Sequence, residues 1–370
     1  MSMEISRQSQ SAGDNSQQLQ IESIGNLTII NGISEQRARE IFHEMNEIAR
    51  RDYTSDAYAL AKERVATFEA RLMEKVEKVD GLLEAFADPS FQYLLADAQR
   101  RAAASEREAD YAALAELLSC RSKHGSNRKI RAGISQAIKI VDEVDDDALC
   151  GLTASYAVWR MYPLNGSCSS GLDIIDSGYA TLMYQSLPIG EDWINHLEIL
   201  NAVRSTKIAN VTPFENILEN QFSGYVCAGI RKTSDDYSKA IEILSHASIP
   251  LGILVDHEWN KGFVRISLPH INYAKSLELS SPSGKVIRSL NEVEVAALND
   301  VWNLYSKDPR DHEAVRKRFR EEIQKHPHIE TMRNWWNSLP FAFSLTHVGI
   351  VLAHANAQAH NSGIPDLTEL

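Results

Sequence analysis

The run of this chain best suited to chemistry is Asp256-His257-Glu258, which directly follows the apolar stretch Leu251 to Val255. Strand ends are where sheet-based sites gather polar groups, and acid, imidazole and acid would suit general acid–base work or a metal. As a catalytic set, Asp256, His257 and Glu258 define a nuclease or other hydrolase. The same residues also read as a polar turn completed by Asn260-Lys261-Gly262, because neighbours on a strand point to opposite faces and do not converge unaided.

Other candidates are weighed in the same way. His347, His354 and His360 fall in one helical pattern at separations of seven and six, not at the i, i+4 spacing with a glutamate that a zinc peptidase uses. His326-Pro327-His328 reads as a helix break. Arg316, Lys317, Arg318 and Arg320 form the densest basic cluster, close in sequence to Trp335 and Trp336. A basic helix beside an aromatic platform would grip a partner, and it carries the reading of a DNA-binding regulator acting through the C-terminal helices. Glu313, Glu321 and Glu322 dilute that charge, as on a solvated helix face laced by i, i+4 pairs. Arg316, Arg320, Trp335 and Trp336 are the partner-binding candidates, the tryptophans as core or interface anchors. No G-x-S-x-G elbow occurs. Gly166-Ser167-Cys168-Ser169-Ser170-Gly171 reads as a loop with no base beside Cys168, and Ser283-Gly284-Lys285 lacks the earlier glycine of a phosphate-binding loop. No cofactor motif is found, so none is expected.

The totals bound what must position these residues. At 370 residues the chain exceeds the roughly 250 to 300 at which a single core stops growing, so more than one is expected. Apolar residues at 44% and charged residues at 24% make the ordinary globular mixture. A net charge of −12 argues against a general nucleic-acid grip, which rests on Lys and Arg displacing counterions. Cys120, Cys150, Cys168 and Cys227 contain no C-x-x-C pair, which fits reduced thiols in a cytoplasm. No apolar run approaches the about eighteen residues of a membrane span, and Gln8 to Gln20 is polar where a secretion signal would need an apolar core. A cytoplasmic protein without membrane contact is expected.

Residues 1–16 are a polar tail with too little apolar content to offset ordering. Over 17–33, Gln18-Leu19-Gln20-Ile21-Glu22 and Asn26-Leu27-Thr28-Ile29 alternate like half-buried strands around a turn at Ile24-Gly25-Asn26. An isolated two-stranded ribbon is marginal in water, so Leu19, Ile21, Leu27 and Ile29 are assigned to oligomerisation, and a homo-oligomer is expected.

From Ser34 the pattern turns helical. Asp88-Pro89 opens one helix, Ser105 with Glu108 forms a capping-box pattern, Asp145-Asp146-Asp147 places negative charge at a helix start, and Thr346 caps the last helix. From Gly224, the apolar runs Tyr225 to Ile230, Leu251 to Val255 and Gly262 to Leu268, with a helix over Asp235 to Ser245, give strand, helix, strand, strand. The expected fold is mainly α: an N-terminal β-hairpin, a helical-bundle body over 34–205, and a smaller C-terminal α+β portion over 206–370 that ends in helices.

Gly25-Asn26-Leu27-Thr28-Ile29-Ile30-Asn31-Gly32, Ala85-Phe86-Ala87-Asp88-Pro89-Ser90-Phe91 and Phe343-Ser344-Leu345-Thr346-His347-Val348-Gly349-Ile350-Val351-Leu352-Ala353-His354-Ala355-Asn356 together resemble an uncharacterised bacterial family of variable, mobile genome regions. That resemblance implies a setting in defence against phage, with a protein or phage component as partner, and brings no catalytic residue with it. The combined expectation is an oligomeric interaction or sensor protein.

Overall fold

The computed structural model describes residues 33–49, 55–124, 127–163, 165–280 and 286–367. The expected tail, the hairpin with Leu19, Ile21, Leu27 and Ile29, and Ser283-Gly284-Lys285 lie outside the described residues. The fold is mainly α. Helices α1 (Glu35–Ala49), α2 (Ser55–Val76), α3 (Leu82–Ala85), α4 (Pro89–Ala104), α5 (Glu108–Lys123), α6 (Arg128–Ile140), α7 (Asp146–Arg160), α8 (Cys168–Leu182) and α9 (Asp192–Ile199) come first. Then follow β1 (Val203–Thr206), α10 (Phe214–Gln221), α11 (Ser223–Val226), β2 (Ile230–Arg231), α12 (Asp235–His246), β3 (Leu254–Asp256), β4 (Phe263–Ile266), β5 (Glu278–Ser280) and β6 (Val286–Ser289). The chain finishes with α13 (Glu292–Asn303), α14 (Pro309–Ile323), α15 (Pro327–Asn337), β7 (Ala342–Leu345) and α16 (His347–His360). No helix among the described residues is long and apolar enough to cross a membrane.

Helix starts follow local chemistry. Asp88 accepts the Ser90 N–H at 2.7 Å with Pro89 at the first helical position, Asp145 accepts the Ala148 N–H at 2.7 Å, and the Thr346 hydroxyl accepts the Gly349 N–H at 3.2 Å. The Ser105–Glu108 box does not form. Arg107 occupies the cap position, and Ser105 Oγ donates to the buried Asp110 carboxylate, which Arg107 also holds at 2.8 Å. A second correction concerns 166–171, expected as a loop: Ser167 caps α8 by accepting the Ser170 N–H at 3.3 Å, so Cys168 to Gly171 is the first turn of a helix. In the α+β stretch, Tyr225 lies in the short helix α11 and not a strand, and Leu251 to Ile253 make a 3-10 turn before β3. Strand, helix, strand, strand is otherwise the order found, with β2, β4 and β3 forming one antiparallel sheet in that spatial order.

Two apolar cores result, and they divide the chain differently from the boundary expected at 205/206. The larger runs from Ala38 to Val226 and resumes at Phe319, taking in α15 and α16. The smaller is built from Cys227 to Tyr305, between the β2-β4-β3 sheet, α12 and α13. The α+β unit is therefore an insertion into the helical body. Its two ends meet where the Ser306 N–H donates to the Gly229 C=O at 2.8 Å. In the body, α16 packs against α5, α6 and α7 and is buried from Gly349 through Ala357. Gly349 permits this: a Cβ there would stand 2.0 Å from the Ala202 C=O oxygen. Antiparallel pairing of β1 with β7 brings Val203 opposite Leu345 and closes the body beside that helix.

Candidate functional site

The three residues of the acidic and histidine run sit at the end of β3 and turn to three different partners. Asp256 projects outward, its carboxylate 78% exposed and 2.5 Å from the Lys232 ammonium. His257 turns inward and is buried. Its Nε2 lies 2.8 Å from the Cys227 C=O, and its Nδ1 accepts the Trp259 N–H at 3.2 Å. Those partners assign the proton to Nε2 and engage both nitrogens of a neutral ring. Burial pushes its pKa down to about 4. Glu258 reaches across to the body, accepting the Cys168 N–H at 2.8 Å, the Ser169 N–H at 3.0 Å and the Ser169 hydroxyl at 2.5 Å. It sits on the N-terminus of α8, where the helix field favours an anion. Burial works against its charge, yet these donors, led by the Ser169 hydroxyl, hold its pKa below the usual carboxylate value.

Arg265 is the residue that sequence reasoning missed. It lies in the middle of β4 and is fully buried, with Nη1 donating to the Ile266 C=O at 3.1 Å and Nη2 to the Gly166 C=O at 2.5 Å. The Glu258 carboxylate is 3.6 Å away and the Tyr225 ring centroid 5.5 Å from the guanidinium carbon. Its Nε has no partner among the described residues. The Tyr225 hydroxyl in turn donates to the Asn165 C=O at 2.5 Å. The backbones close tightly here, since a Cβ on Gly166 would stand 2.1 Å from Ser267 Oγ. The available signal was a lone cation inside the apolar strand Phe263-Val264-Arg265-Ile266, a position that a water-facing arginine would not share with such neighbours.

This constellation is a polar seam joining the α+β unit to the helical body. Asp256, His257 and Glu258 do not converge on one point. Burial raises the Cys168 thiol far above its ordinary pKa and pushes Cys227 up to about 12, so neither is primed as a nucleophile.

The remaining candidates are dispersed. His347 is exposed at the start of α16. His354 is buried with Nδ1 2.9 Å from the Tyr156 hydroxyl, its pKa pushed down to about 4 by burial. His360 stacks on Tyr184 with centroids 3.8 Å apart. His326 meets Asp173 at 3.2 Å and His328 meets Asp176 at 2.8 Å. Among the described residues no three His, Cys, Asp or Glu side chains are grouped to hold a metal. Arg316 and Arg320 both face Glu219, at 3.5 and 2.7 Å. Trp335 and Trp336 are core residues: both are buried, and their indole N–H groups donate to the Pro188 C=O at 2.8 Å and the Thr212 C=O at 2.9 Å. A cleft of about 320 Å³ lies between α4 and α6, lined by Asp97, Arg100, Arg101, Lys139 and Asp142. Arg101 is tied to Asp142 at 3.1 Å there, and Arg100 to Asp97 at 3.1 Å.

A family model matches residues 32–368, taking in the helical body and the inserted unit alike. The chain belongs to that family. The match thus covers the seam from both sides, while most of the β-patterned segment over 17–33 precedes it. No curated protein and no solved structure matches the chain.

Proposed function

We propose that the protein is an interaction or sensor protein that self-associates through its N-terminal β-patterned segment and offers its α+β unit to a partner. The observation that supports this reading is the use made of Glu258 and Arg265, which fasten the inserted unit to α8 and to the Gly166 backbone. A unit fastened in this way passes on a bias imposed by whatever binds it, because a ligand shifts an equilibrium by its differential affinity for two states. A hydrolase acting through Asp256, His257 and Glu258 draws less support, since each side chain already has a separate partner. The setting we attach is that of the resemblance, defence against phage in a bacterial cytoplasm, with a protein or phage component as partner.

The test is the mass of the full chain in solution. Replacing Leu19, Ile21, Leu27 and Ile29 by aspartate is expected to move the light-scattering mass from an oligomer to a monomer without changing the far-ultraviolet circular dichroism. An identical mass in parent and variant would remove the self-association reading.

A further inference from the structure

Residues 121–141 carry Arg121, Lys123, Arg128, Lys129, Arg131 and Lys139 and no aspartate or glutamate, in a chain whose net charge is −12. Positive charge gathered locally against such a background is the electrostatic footprint of an anionic partner. The fold draws it into a line. Arg128, Arg131, Ser135 and Lys139 follow steps of three and four on α6, so they share one face over about 16 Å. Ser90, Tyr93, Asp97 and Arg101 follow the same steps on α4, which packs on α6. At one end Arg121, with Arg131 beside it, donates from Nη2 to Ser90 Oγ at 2.8 Å. At the other, Asp97, Arg100 and Arg101 line the cleft of about 320 Å³ together with Lys139 and Asp142.

Arg121 is the cation that most lacks an anion. It is 5% exposed, and its nearest carboxylate among the described residues is Asp88 at 3.8 Å, whose other oxygen caps α4. Burial and the Arg131 guanidinium push its pKa down, against the weaker pull of Asp88. A buried charge is tolerated when it is closely paired, and an anion arriving here supplies what Asp88 does not. Arg128, Lys129 and Lys139 are exposed and make no ion pair among the described residues. In the cleft, Arg100 is held by Asp97 and Arg101 by Asp142, so Lys139 is the cation left over there.

We infer that the α4–α6 face binds a single strand of nucleic acid, with phosphates on Arg121, Arg128, Lys129, Arg131 and Lys139 and a base on the Tyr93 ring. Two features favour this ligand over an acidic peptide. The cations are strung along the helix instead of gathered in one pocket, which suits a backbone of regularly spaced charges. Tyr93 stands on the α4 side of the line and is 81% exposed, a flat ring of the kind on which bases stack. Guanidinium forks also meet phosphate oxygens two at a time. A net negative chain forgoes a general grip on nucleic acid, yet a local line of cations retains one. The inference uses neither the α+β unit nor the N-terminal segment, so it does not depend on the self-association reading.

Fluorescence anisotropy of the full chain with a labelled, mixed-sequence single strand of about 15 nucleotides tests this. At about 50 mM salt the double variant Arg128→Glu, Lys129→Glu is expected to bind at least about tenfold more weakly than the parent, with a flatter dependence on salt. Glutamates suit a helix N-terminus, so this variant keeps its fold. Tyr93→Ala is expected to weaken binding at least about fivefold. Lys317→Glu, Arg318→Glu makes the same change of charge on α14 and is expected to match the parent within about twofold. The inference is overturned if the parent does not bind at that salt concentration, or if the two double variants lose affinity equally. A polyglutamate peptide or a duplex bound as tightly as the single strand overturns it as well.

Discussion

His257 and His354 are the two imidazoles on which burial acts most strongly, each with its pKa pushed down to about 4. In the unfolded chain both return to the ordinary value near 6.5. Between those two values the unfolded state therefore binds more protons than the folded one, and stability falls as pH drops through that window. Each ring contributes a slope of up to about 1.4 kcal/mol per pH unit there, and none above pH 7. Urea denaturation at pH 7 and pH 5 is expected to show the loss, and His354→Gln is expected to roughly halve it. A general base working near neutrality would need the opposite arrangement, with a pKa close to the working pH and one nitrogen free. What the sequence disclosed at this scale was the polar turn after an apolar run. Its partners were not disclosed: Lys232, Cys227 and Cys168 are brought to Asp256, His257 and Glu258 by tertiary folding alone.

Among the elements, α8 depends on a residue remote in sequence. Its first turn contains Ser and Gly and lacks an acidic side chain of its own, so Glu258 supplies the anion that its N–H groups need. Glu258→Ala removes that cap and leaves the Arg265 guanidinium facing carbonyl oxygens alone. The expected loss is about 2–4 kcal/mol in chemical denaturation, set against about 0.5 kcal/mol or less for Asp256→Ala on the surface. Equal losses in the two variants would contradict the division of labour described for the seam. The same helix shows where sequence reading stops. Local signals were sufficient at Asp88-Pro89, Asp145 and Thr346, where cap and helix are adjacent. They misled at Ser105, whose hydroxyl prefers a buried carboxylate, and at 166–171, where Ser167 caps a Gly/Ser run whose next N–H groups are taken by Glu258 from another part of the chain. The β1–β7 pair was missed for a related reason: four-residue strands joined across the whole inserted unit leave no local turn signal.

For the whole molecule, the mainly α class and the helical body were legible because long amphipathic periods report burial directly. The nesting of one core inside the other was not, since periodicity says which face is buried and not against what. That nesting has a measurable consequence. The larger core has no fully buried member between Val226 and Phe319, and Gly229 and Ser306 are joined by a backbone bond of 2.8 Å. Replacing residues 230–305 by two glycines is therefore expected to leave a helical body that melts cooperatively, with the first turn of α8 frayed for want of Glu258. Loss of the cooperative transition would show that the body relies on its insert.

The position of α16 also bears on how the protein is made. The helix that fills the space between α5, α6 and α7 leaves the ribosome after all three of them. Until α16 is made, the apolar faces of those earlier helices wait uncovered, and the nascent chain must shelter them. Termination anywhere upstream of Thr346 thus yields an open, sticky bundle fit for degradation, so that only a polypeptide carrying α16 reaches the packed state.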